Sequence, residues 1–254
     1  MPDNALEALI GTALFLLVRL SAIWVFVPVP GARGLAGPIK VTAILALLAA
    51  LLPGTPVSPL PASPGSWALA LLAEAGLGIA IGLVVGLFAE ALVMAAQVAG
   101  LQAGYSYAST VDPNTEADAA ILQILAQLTA NLLFFALDLH HAVLRALAKS
   151  VEVFPLGGFV TTGKIAQDVI SLSGAAVELG LRIALPVLVL LLLADLTLAM
   201  LGRLNAQLQL LSIAFPLKML AGLLTLGFLT PLFPKLYSAF ASRGFSLVDS
   251  WMVK

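Results

Sequence analysis

Between Trp67 and Leu101 the chain carries a long apolar stretch. As one helix it would be about 52 Å long, well beyond the roughly 30 Å hydrocarbon core of a bilayer. Such a helix must bend, tilt strongly or leave the membrane. The remaining composition demands a similar solvent. Of the 254 residues, 61% are hydrophobic and 10% charged, against about 25% charged in an average soluble domain. Too few polar side chains exist to build a hydrated shell, so lipid, other apolar chains or both must solvate this one. A net charge of −1 provides no basic field for nucleic acid, which is excluded as a partner. Cysteine is absent and only two histidines occur. Disulfides, thiolate metal sites, iron–sulfur clusters and cysteine nucleophiles are thereby excluded, and no metal or cofactor is expected.

Leu9–Val27 is long enough to cross the core, at about 28 Å as a helix. Asp3 and Glu7 precede it where a secretory signal would have bases, so it reads as a retained membrane helix. Arg19 lies inside it and needs a partner or a protein-facing position. Prolines and glycines from Pro28 to Pro38 form a loop whose Arg33 and Lys40 mark a cytoplasmic side. Val41–Leu52, about 18 Å as a helix, is too short to span and suits a buried or re-entrant helix. Pro53–Ser66 is a loop. Ala119–Leu147 has the pattern of one long helix. Ile165–Leu201 is helical, with Glu178 and Arg182 placed for an i,i+4 ion pair and Pro186 placed to kink it. Leu208–Leu232 contains Pro216 and Lys218 and ends at Pro231 and Pro234. In the tail, Tyr237, Phe240, Ala241, Val248, Trp251 and Met252 share one face of an amphipathic helix. The fold class is therefore an all-α integral membrane protein. A six-span bundle is the default, but the helix lengths argue against it, and a chain wrapped in a multi-subunit assembly escapes the bilayer-length constraint.

Three patterns are candidates for function. Gly78, Gly82 and Gly86 recur every fourth residue and offer a smooth strip for close helix packing, a device repeated at Gly100 and Gly104. Gln123, Gln127, Asn131, Asp138, His141 and Arg145 fall within about 80° of one another at 100° per residue. This polar stripe should not face lipid. Interhelical hydrogen-bond glue and a wet cavity both remain open for it. Finally, Gly104–Asp118 is a polar, acidic loop between two apolar helices, with turn chemistry at Asp112-Pro113-Asn114.

Enzymatic readings find little support. Gly104-x-Ser106-x-Ala108 vaguely resembles a nucleophile elbow but ends in alanine, and adjacent His140 and His141 point to different helix faces. A proton-coupled secondary transporter using Asp138 and His141 is the better alternative, yet no inverted repeat is visible. No catalytic residue is assigned.

Four segments in order carry a resemblance. They are Gln97–Gly104 leading through Tyr105–Pro113; Asp138–His141 through Phe154-Pro155-Leu156-Gly157; Leu185-Pro186 through Arg203 and Gln207; and Phe215-Pro216-Leu217-Lys218. Over nearly its whole length the chain resembles the FliR family of flagellar export-gate proteins, to which virulence type III export-gate proteins are related. The resemblance implies a non-catalytic subunit of the flagellar type III export gate, in the bacterial inner membrane at the flagellar basal body. It implies kinked helical hairpins wound into a multi-subunit helical ring with FliP-like and FliQ-like subunits, in contact with an FlhB-like subunit. Exported flagellar proteins in transit and membrane lipid are the other implied partners. The fold would join a FliP-like part over roughly residues 1–180 to a FliQ-like part over 181–254. The family's plug loop maps onto Gly104–Asp118, making Gly104, Tyr105, Ser106, Tyr107, Asp112 and Pro113 gate residues. Pro186, Phe215, Pro216 and Lys218 are kink and motif positions. Use in a virulence type III system is the alternative. Two departures stand out. Tyr105 and Tyr107 replace an apolar or phenylalanine-rich plug start, and Asp195 replaces an expected Asn, adding a charge for which Arg203 is the expected partner.

Overall fold

A computed structural model describes residues 2–26, 37–58, 60–105, 121–158, 163–204 and 210–253. Among them no strand occurs. The helices are α1 (Pro2–Trp24), α2 (Gly37–Leu51), α3 (Pro64–Ala103), α4 (Ile121–Ala136), α5 (Leu139–Val153), α6 (Gly163–Leu204), α7 (Leu210–Leu229) and α8 (Phe233–Trp251), with short 3-10 turns at Leu52–Gly54 and Thr230–Leu232. Among the described residues, four helical stretches are long and apolar enough to cross a membrane, or five if α4 and α5 form one broken span. Two of them far exceed a bilayer core: α3 has 40 residues and α6 has 42, about 60 Å each. Helix α6 runs through Pro186 as one element.

Two compact units divide the chain. The first comprises Met1–Leu87, Phe134–Ser173 and Phe240–Lys254. Its core holds Phe15, Leu16, Leu77, Ile81, Val84, Leu147, Leu172 and Val248. Phe15 stacks on Trp67 at 5.2 Å between ring centroids. The small-residue strip of α3 lies against the α1 end. A Cβ on Gly78 would come within 2.6 Å of the Arg19 carbonyl oxygen, and one on Gly82 within 2.8 Å of that of Ile23. At Gly86 the corresponding distance, to the Phe26 carbonyl oxygen, is 3.1 Å. Glycine is what allows this backbone-on-backbone approach.

The second unit comprises Phe88–Leu133 and Gly174–Ala239. Its core gathers Ala96, Ala99, Ala103, Tyr105, Leu122, Val187 and Leu191, with Met219 and Leu226 packed against it. Close approach recurs here, since a Cβ on Gly180 would stand 2.9 Å from the Ala91 carbonyl oxygen. Gly100 is looser; its nearest contact would be Leu122 at 3.5 Å.

Several expectations need correction. Ala119–Leu147 is not one helix: α4 and α5 meet at a bend of 66°. Asp138 sits at the break with φ 56, the only non-glycine residue of positive φ among the described residues. A left-handed residue interrupts the helical ladder, although Asp tolerates that region better than most. From Pro38 to Leu51 helix α2 has no buried residue, and Val41 and Leu45 are exposed, so it is not a buried core helix of this chain. The tail face Tyr237, Phe240, Ala241, Val248, Trp251 and Met252 is buried throughout. On α6, by contrast, Leu185, Val189, Leu192, Leu193, Leu196 and Met200 are all more than half exposed. Such a face must be covered by lipid or by another chain.

Candidate functional site

Helix α3 ends where the polar loop begins, and the ending is a built structure. Gly104 has φ +87. The Tyr105 N–H donates to the Gly100 carbonyl at 3.1 Å, and the Gly104 N–H to that of Leu101 at 3.2 Å. This paired pattern is a Schellman cap, in which glycine takes the left-handed turn that side chains resist. A Cβ on Gly104 would also stand 2.7 Å from the Phe215 ring. Two residues singled out in separate segments are thus in contact.

Tyr105 follows as the hydrophobic residue of the cap. It is 8% exposed, and its hydroxyl donates to the Met219 carbonyl at 3.2 Å. Burial pushes its phenol above the ordinary tyrosine range, keeping it a neutral donor. The ring therefore belongs to the core of its unit. Burial and the bond to Met219 tie the first residue after the cap to that core. Ser106, Tyr107, Asp112 and Pro113 lie outside the described residues.

A charged cluster shares this unit. Lys218 Nζ stands 2.8 Å from Asp195 Oδ1. Gln102 Nε2, on the last turn of α3, donates to Asp195 Oδ2 at 3.2 Å. The partner of Asp195 is therefore Lys218, not Arg203. The expectation failed because it looked along one helix, whereas the pair forms between α6 and α7. Asp195 is 40% exposed at its side chain and Lys218 12%. Phe215 and Lys218, on either side of Pro216, thus reach the α3 cap and Asp195 respectively, while Pro186 on α6 is exposed.

The first unit contains a different arrangement. Arg19 and Glu74 are both completely buried and paired at 2.6 Å, from Nε to Oε2. Arg19 Nη1 donates to the Ser150 carbonyl at 2.9 Å, and Nη2 to the Phe154 carbonyl at 3.2 Å. Both carbonyls lie at the C-terminal end of α5; that of Ser150 also accepts the Phe154 N–H at 3.0 Å, and Phe154 is the C-cap residue. The other carboxylate oxygen of Glu74 accepts the Gly157 N–H at 2.8 Å. Four chain segments meet on one ion pair. Sequence reasoning required a partner for Arg19 but missed Glu74. The available signal was a base inside one apolar helix and an acid inside another, but α3 offers two acids, Glu74 and Glu90, and nothing local chooses between them.

The polar stripe splits at the bend. Asn131 is buried and accepts from Gln127 Nε2 at 3.0 Å, one turn away, and Gln123 is half-buried. Asp138, His141 and Arg145 are exposed, so they do not continue a buried stripe. Asp138 and His141 do stand close to each other and to His140.

A family model described as Bacterial export proteins, family 1, matches residues 10–243. A protein named Flagellar biosynthetic protein FliR from Escherichia coli strain K12 is 27% identical over 233 residues, covering 91% of this chain and 89% of the relative. The protein of that name from Pectobacterium carotovorum subsp. carotovorum is 27% identical over 231 residues, covering 91% and 88%. That from Caulobacter vibrioides is 27% identical over 213 residues, covering 83% and 85%.

Proposed function

The chain belongs to family 1 of the bacterial export proteins, and from that premise we propose that it is a non-catalytic subunit of the flagellar type III export gate in the bacterial inner membrane. The carrying observation is the family match across residues 10–243. The names of its relatives favour flagellar over virulence use. On this reading unfolded flagellar substrates pass a ring built with FliP-like, FliQ-like and FlhB-like subunits. The exposed apolar faces of α6 and α2 support a need for such neighbours, and helices longer than a bilayer support a ring raised partly out of the membrane. A division into a FliP-like part near residues 1–180 and a FliQ-like part beyond belongs to the same proposal.

The loop from Gly104 to Asp118 is the gate in this proposal. Its start is pinned by the glycine cap, by Tyr105 and by the contact with Phe215. Loops on rigid scaffolds can move while their ends hold, and opening a short loop disturbs far less than unfolding a helix. Deleting the gene should abolish flagellin export and motility, and an intact copy should restore both. Full flagellin export in the deletion strain would overturn the reading. A secondary transporter would instead leave export intact and alter uptake of its solute.

A further inference from the structure

We propose that Asp138, His140 and His141, at the bend between α4 and α5, form a binding site for a borderline first-row transition cation of the Zn2+ or Co2+ class. Each residue offers a ligand atom, and these atoms lie within 4.8 Å of one another. Asp138 Oδ1 and His141 Nδ1 are 3.4 Å apart. A tetrahedral cation with bonds of roughly 2.0–2.1 Å has ligand–ligand edges of about 3.4 Å. One edge is already at that length, and small side-chain rotations bring in the third donor. Two imidazoles and one carboxylate suit zinc, cobalt or nickel rather than calcium or magnesium, which prefer all-oxygen shells.

Three further observations point to a ligand. The Nδ1 of His140 is shut off from solvent and has no hydrogen-bond partner, leaving one nitrogen of this ring unsatisfied. Its ring packs against two others, Phe135 at 5.0 Å and His141 at 4.1 Å with a tilt of 36°. Held and tilted, the two imidazoles are already ordered next to one carboxylate. Asp138 stands at the N-cap of α5 but makes no side-chain cap bond, although capping is the usual reason for aspartate there. Its carboxylate stands instead 3.4 Å from His141 Nδ1. Exposed side chains on Asp138 and His141, at 73% and 58%, leave a path for the ion and room for water to complete its shell. A bound cation would fix the 66° bend by joining its pivot residue to the first turn of α5.

The test uses the chain purified in complex with its co-expressed partner subunits and stripped with chelator. Co2+ titration should produce a visible d–d absorption band saturating at one equivalent per chain, and Zn2+ should displace it. His141→Ala, on an exposed side chain, should weaken Co2+ binding at least tenfold. Asp138→Asn keeps a residue tolerant of the left-handed turn and should also lose at least tenfold. A simple Asp138–His141 ion pair predicts no cobalt band. No band in the wild-type complex, or equal titrations in wild type and both variants, would overturn the site.

Discussion

Each unit carries one ion pair between long apolar helices, and the two pairs are built oppositely. Arg19 and Glu74 are sealed, and backbone groups of Ser150, Phe154 and Gly157 hold the remaining valences. The Asp195 side chain stays 40% exposed while that of Lys218 is largely covered, and the carboxylate also accepts from Gln102. A sealed, fully satisfied pair can hardly rearrange, because every intermediate exposes a bare charge to an apolar interior. A pair whose carboxylate reaches solvent can part at lower cost than a sealed one. The difference separates a unit fixed by its polar network from one whose polar network can yield, and the yielding one carries the cap from which the proposed gate loop departs.

The largest expected effect comes from breaking the sealed pair. Glu74→Ala leaves Arg19 buried without its counter-ion and should destabilise the chain by about 3–5 kcal/mol. Yield of assembled complex and melting temperature in detergent measure this. A near-native melting temperature would remove the contrast between the units.

An intermediate effect compares two glycines. Gly82→Leu drives a side chain into backbone of α1, which cannot rotate away, and should cost about 1–3 kcal/mol or more with loss of assembly. Gly104→Ala meets the Phe215 ring and a φ of +87, a penalty of about 1–2 kcal/mol. That complex should still assemble, but with its loop anchor disturbed it should pass more ions at rest. Planar-bilayer conductance reads the second effect and gel filtration the first. Equal assembly defects in both variants would show that the cap is structural only.

How much of this was legible in sequence follows from the range of each interaction. Helix lengths and the glycine strip are local periodicities, and Gly78, Gly82 and Gly86 could be read directly. The need for a partner at Arg19 was legible; Glu74, 55 residues away, was not, since no local pattern links them. The bend at Asp138 was hidden because Asp-Leu-His-His contains neither proline nor glycine and the polar stripe stays in phase across it. Lys218 was missed as the partner of Asp195 because i,i+8 on one helix was considered before a neighbouring helix. Tyr105 was placed in the loop by composition, yet the cap geometry draws its ring into the core.

The smallest effect is expected at the open pair. Asp195→Asn can still accept from Gln102, and loss of the charge should cost about 1 kcal/mol or less. Thermal melting of the complex should shift by only a few degrees at most. A loss matching that of Glu74→Ala would mean that this pair, too, is sealed once assembled.

The buried arginine also imposes an order on biosynthesis. Glu74 follows Arg19 by 55 residues and the Ser150 carbonyl by 131. At bacterial rates of about 5–20 residues per second, the last of its partners, the Phe154 carbonyl 135 residues on, emerges roughly 7–27 s after Arg19. During that interval α1 carries a charge that lipid accepts only at considerable cost. Helix α1 is therefore made well before it can be finished. It must wait at the membrane surface or inside the insertion machinery until α3 and α5 arrive, and the N-terminal segment of this protein is completed by its middle.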